Sequence, residues 1–307
     1  MTSLEQIPGA VELRIGMPRV DWHVVWAWIE EHLPEARQLP AWEDCNKAWL
    51  ELLRDALGGN YVVEESEHFM LLGDGAAPTN ELVLSWCEHY RRRILQILAD
   101  VETNDPSARR PFLLFHDRTS YLDYVMDLYP VEGEFADSGG MFIGHGLPHV
   151  ALWGFDGATL ERTIAHELTH AAMADLPLPL WLNEGVTRVV EDVLLDQSHF
   201  VMNGEIVREH RAYWTTETIQ AFWSGESFHA PGDVQRLSYS LAEVLVRNLA
   251  GDHPGKLPAL LNAAEASDAG EQGLREICKT TLAARVSQFL GPGEWGMRLA
   301  EPEDDVA

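Results

Sequence analysis

Two histidines set four residues apart, in His166-Glu167-Leu168-Thr169-His170, constrain this chain more than any other feature. On a helix, residues i and i+4 project from one face about a turn apart. Leu160, Ile164 and Leu168 recur at helical spacing through the same stretch, so residues 159–175 are expected to form a helix with one apolar face. Two imidazoles placed in this way can reach one zinc ion at ~2.0–2.1 Å, and Glu167 beside them can reach a water rather than the ion. Taken alone, H-E-x-x-H also fits two exposed histidines on a polar helix face.

The residues that follow favour a metal. Leu176-Pro177-Leu178-Pro179 stops the helix, because proline removes a backbone donor and clashes with the preceding turn. Trp181-Leu182-Asn183-Glu184-Gly185 then opens a second helix, 182–195, which places Glu184 on its first turn. A catalytic zinc centre takes three protein ligands and leaves one position open. His166, His170 and Glu184 supply three, for one Zn2+ per chain.

H-E-x-x-H followed by N-E-G on the next helix resembles the gluzincin branch of zinc metallopeptidases. With thirteen residues between His170 and Glu184, and the phrase Leu180-Trp181-Leu182-Asn183-Glu184-Gly185-Val186, the chain is most similar to the peptidase MA-like family. Ser66-Glu67-His68-Phe69 resembles that family's opening strand, and Ser238-Tyr239-Ser240-Leu241 its tyrosine-bearing segment. The likeness covers about residues 60–290, and its specific part is the zinc motif. It implies a zincin-like fold and peptide-bond hydrolysis by a zinc-activated water. Glu167 would take the proton from that water and pass it to the leaving amine. The resemblance also implies Tyr239 as the donor to the oxyanion; a buried helix residue is the other reading of Tyr239. Gluzincin aminopeptidases carry G-x-M-E-N, whereas Gly139-Gly140-Met141-Phe142-Ile143 has Phe142 where the glutamate would be, which argues against an aminopeptidase of that type.

Elsewhere the chain reads as α+β. Strands are expected at 68–72, 111–115, 140–144 and 149–153, in a mixed sheet of about four strands followed by a mostly helical C-terminal half. Further helices are expected at 21–33, 40–57, 79–100, 119–128, 204–223, 234–250, 256–266 and 271–290. Trp22, Trp26, Ile29 and Leu33 suggest a core-facing stripe. The divisions are a helical extension over 1–60, a peptidase domain over 61–290 and an acidic tail over 291–307, with Glu301–Asp305 a disordered end. An extended peptide is expected to add to a sheet edge, with His149–Trp153 the nearest strand. Glu191 and Asp175 are read as solvated, and His229 and Arg236 as surface groups.

With 22 basic and 49 acidic residues the net charge is −27, which disfavours nucleic acid and anionic membranes. No apolar run approaches the ~20 residues of a membrane helix, and the N-terminus lacks a leader pattern. Cys45, Cys87 and Cys278 suit neither zinc spacing nor a disulfide framework, so a cytoplasmic protein with buried free thiols is expected. The expected partner is a peptide or protein substrate, and oligomeric state stays open. Two other functions remain: a catalytically silent zincin-fold protein acting as a binding or regulatory module, and a zinc hydrolase of non-peptide amides or esters.

Overall fold

The computed structural model describes residues 3–14, 16–73, 77–129, 139–154 and 156–298, so the acidic stretch Glu301–Asp305 lies outside the described residues. The chain divides into two compact units, residues 1–96 with 104–174, and residues 97–103 with those from 175 on. Among the described residues no helix is long and apolar enough to cross a membrane.

The first unit is α+β. A hairpin of β1 (Val11–Arg14) and β2 (Met17–Val20) precedes helices α1 (Trp22–His32) and α2 (Glu35–Leu57). Then come β3 (Val62–Glu65), β4 (Phe69–Gly73), α3 (Ala77–Ile97), β5 (Arg110–Phe115), α4 (Arg118–Leu128), β6 (Gly140–Ile143), β7 (His149–Trp153) and α5 (Gly157–Ala172). The sheet is mixed, in the order β3-β4-β5-β7-β6. Its two inner pairings are parallel and its two outer ones antiparallel. The four expected strands are all present, and β3 makes a fifth. β4 and β5 are buried along their whole length, as befits strands flanked on both edges and covered on both faces.

His149–Trp153, expected to be the strand nearest the peptide-binding edge, pairs on both sides, and among the described residues the sheet edge on that flank is β6. The tryptophan stripe of α1 is only partly internal: Ile29 is fully buried, while Trp26 is exposed and packs edge-on against Trp42. The first 60 residues share one core with the sheet, since Leu4, Val25, Ile29, Trp49 and Leu53 cluster with Met70, Leu113, Phe115 and Ala151. Helix α2 starts at Glu35, five residues before Pro40, and carries that proline in its second turn. Asp117 caps α4 by accepting from the Ser120 N–H, which holds its carboxyl below the usual range.

The second unit is helical: α6 (Leu180–Leu194), α7 (Gly204–Tyr213), α8 (Thr218–Ser224), α9 (Asp233–Asp252), α10 (Leu257–Ala263), the short turn α11 (Glu271–Gly273) and α12 (Leu282–Leu290). The stretch 204–223, which the sequence already allows to be a broken helix, is interrupted at Trp214–Glu217, and 271–290 is broken by a π turn that ends at Lys279 in the left-handed region (φ 54°). Helices α6 and α9 form its central pair. A Cβ on Gly185 would lie 2.6 Å from the Ala242 carbonyl oxygen and 2.6 Å from Val246 Cγ2, so only glycine allows so close an approach. All three cysteines are free and buried.

Candidate metal centre

Helix α5 buries Leu160, Ile164 and Leu168, the face its spacing marks as apolar. That orientation leaves His166 and His170 half-buried on another face, one turn apart. Their Nε2 atoms are 3.1 Å apart and the rings meet edge-on. Two nitrogens bound at ~2.0–2.1 Å to one tetrahedral centre must sit roughly 3.3 Å from each other, so the pair is spaced for a shared ion. Thr169, fully buried, bonds back to the Ala165 carbonyl at 2.8 Å.

Glu167 is buried, and its Oε2 accepts a hydrogen bond of 2.6 Å from the Phe142 backbone N–H. The partner is a main-chain donor on β6, so the carboxylate is tied to the edge of the sheet. Gly140 lets α5 lie this close: a Cβ there would come within 2.6 Å of Thr163 Cγ2 and 2.2 Å of Leu152 Cδ2. Nothing in the sequence pairs Phe142 with Glu167, which are 25 residues apart.

Glu184 lies on α6, buried. The helix begins at Leu180, two residues before the expected start, so Glu184 sits beyond its first turn rather than on it. Trp181 anchors that turn by donating from Nε1 to the Ala269 carbonyl at 2.9 Å. Among the described residues His166 and His170 offer two imidazoles, and Glu184 a carboxylate, as donors for a metal ion. Two imidazoles and a carboxylate suit zinc.

Tyr239 lies half-buried on α9, its ring packed edge-on against Phe228 at 5.3 Å and under the Arg188 guanidinium at 5.5 Å. Glu191 is buried on α6, contrary to the solvated reading. Asp175 and His229 are exposed, and Arg236 is an exposed partner of Glu209 and Asp233. A residue missed in the sequence is Glu243 on α9, buried and shared between Arg247 at 2.9 Å and Arg188 at 3.4 Å. Arg247 also pairs with Asp192, so the polar ladder ties α9 to the end of α6. Its signal was present as Glu243 and Arg247 at i and i+4.

No protein-family model matches the chain, and no curated protein matches it.

Proposed function

We propose that the chain is a zinc-dependent peptidase, with His166, His170 and Glu184 as the metal ligands and Glu167 as the general base. The observation that carries this reading is the pair of imidazoles one turn apart on α5, their Nε2 atoms 3.1 Å from each other, with a buried carboxylate next in sequence to one of them. A bound zinc supplies a water of pKa near 7 and a charge that polarises a carbonyl. The chain's residues would do the rest. Glu167 takes a proton from the attacking water and returns it to the leaving nitrogen. Burial keeps bulk water from competing for its oxygens. Tyr239 is the proposed phenolic donor to the oxyanion. Phe142 in place of the glutamate that grips a free amino terminus fits cleavage within a chain better than removal of one terminal residue.

A peptide-library digest by wild type and Glu167→Gln tests the reading. The expected result is cleavage by wild type and a loss of 10²-fold or more in the variant, on the order of a missing general base. Cleavage of amide or ester substrates but no peptide would move the substrate class. Peptide binding without turnover in the zinc-loaded wild type would make the chain a binding module.

A further inference from the structure

The hydrogen-bond phase of β6 gives Glu167 a second task. β6 and β7 run antiparallel with Met141 opposite Ala151 and Phe142 opposite Val150. Two pairs beyond Met141 and Ala151 in the same register, Trp153 N–H donates to the Gly139 carbonyl at 3.1 Å. Hydrogen-bonded and non-hydrogen-bonded pairs alternate in an antiparallel ladder. Met141 and Ile143 therefore exchange bonds with β7, while Phe142 turns its N–H and C=O away from the sheet. That N–H is the donor an added strand would use, and Glu167 Oε2 occupies it at 2.6 Å. The Phe142 ring lies under the Arg110 guanidinium at 5.4 Å, and Arg110 is itself buried, which holds the strand in place beneath the carboxylate.

Resting on the peptidase reading, we propose that Glu167 is a latch on the sheet edge: a peptide that adds to β6 must offer a carbonyl to the Phe142 N–H, and in doing so it releases the carboxylate toward His166 and His170. Docking of an extended backbone and freeing of the base are then one exchange of hydrogen bonds. A small amide or ester with no backbone to lay along β6 leaves Glu167 tied to the strand. The site would in this way discriminate for extended peptides before any side-chain pocket is consulted. The exchange trades one charge-assisted hydrogen bond for one neutral bond, so its cost falls on binding.

The latch is testable without a known substrate. Amide hydrogen exchange of the full zinc-loaded chain would compare wild type with Glu167→Ala. The Phe142 amide is expected to exchange at least about tenfold faster in the variant, while Met141 and Ile143, bonded to β7, stay protected and report an intact strand. Equal exchange at Phe142 overturns the latch whatever the chain hydrolyses. The second arm measures binding of a pool of capped hexapeptides with a ketomethylene group in place of the central peptide bond. Glu167→Ala should bind the pool roughly fivefold to tenfold tighter than wild type. Phe142→Pro removes the donor without touching a β7 bond, and the gain from Glu167→Ala should vanish in the double variant. Phe142→Leu, which keeps the N–H, should preserve that gain. Unchanged affinity in Glu167→Ala, or a gain that survives Phe142→Pro, overturns the exchange. A pool that binds no variant overturns peptide docking at β6, while the digest with Glu167→Gln reports separately on the peptidase reading.

Discussion

His149 and His210 are each enclosed in the core of their own unit, while His166 and His170 face each other across one turn of α5. Both ring nitrogens of the enclosed histidines are committed to the protein. His149 Nδ1 donates to the Leu147 carbonyl at 2.7 Å, which leaves Nε2 to accept from the Tyr124 hydroxyl at 2.7 Å. His210 Nδ1 accepts from Trp214 Nε1 at 3.0 Å, so its Nε2–H points at Ser240 Oγ, also at 3.0 Å. Burial depresses both to about 4, so they are neutral structural groups. The α5 pair instead brings two nitrogens to one point. The lesson is that a histidine's role follows from where its second nitrogen goes, a fact the residue type does not carry.

The sharpest way to break that contrast is to exchange the outcomes of two alanine substitutions. His149→Ala should lose about 2–4 kcal/mol of stability, from the cavity and from the Tyr124 hydroxyl left without its acceptor, and should keep its metal. His166→Ala should lose its metal and, compared with wild type after chelation of the metal from both, stay within about 1 kcal/mol. Urea denaturation beside elemental analysis reads both. Equal stability losses in the two variants would erase the distinction between core and ligand histidines.

Acid sharpens the same comparison. Between pH 6.5 and about 4 the unfolded chain protonates its equivalents of His149 and His210 while the folded chain does not. The unfolded state then binds more protons, so stability falls as pH drops through that window. For the fully enclosed His149 the full loss is on the order of 3 kcal/mol. Below the histidine window Glu88 adds to the fall, because the Ser66 and His68 bonds that lower its pKa are lost on protonation. Urea midpoints at pH 7.5, 6 and 5 should decline, and His149→Phe should flatten the slope. A midpoint that rises with acid would contradict the burial of both rings as neutral groups.

A smaller effect separates the two glycine positions of the α6–α9 pair. Gly185→Ala forces a methyl onto the Ala242 carbonyl and should cost about 1–3 kcal/mol, and it should weaken metal binding through Glu184 next to it. Gly251→Ala, on the same α9 with open space around it, should stabilise by roughly 0.5–1 kcal/mol. Thermal midpoints of the two variants should move in opposite directions.

Much of this was readable from residue order because it is local. Leu160, Ile164 and Leu168 mark the buried face of α5, and the same periodicity puts His166 and His170 on one turn. The strands β4, β5, β6 and β7 are short apolar runs bounded by glycine or proline, each expected to within a residue or two. What escaped was either too polar to stand out or set by distant pairing. β3 is Val62-Val63-Glu64-Glu65, an edge strand with polar residues on half its length. β1 is exposed throughout, so it shows no burial alternation, and Pro18 in β2 reads as a breaker. Strand order is non-local, which is why the sequence points to β7 for the edge that β6 forms. The bond from Phe142 to Glu167 depends on that order and on the ladder's phase, and neither is written in the spacing of the motif.

In the proposed function His166, His170 and Glu184 act together on one ion. Zinc content of purified wild type, His166→Ala and Glu184→Ala, each offered zinc and then freed of excess, tests it most directly. The account predicts about one zinc per chain in wild type and a large loss in both variants, with folding retained in each. Full zinc in Glu184→Ala, or little in wild type, would contradict it.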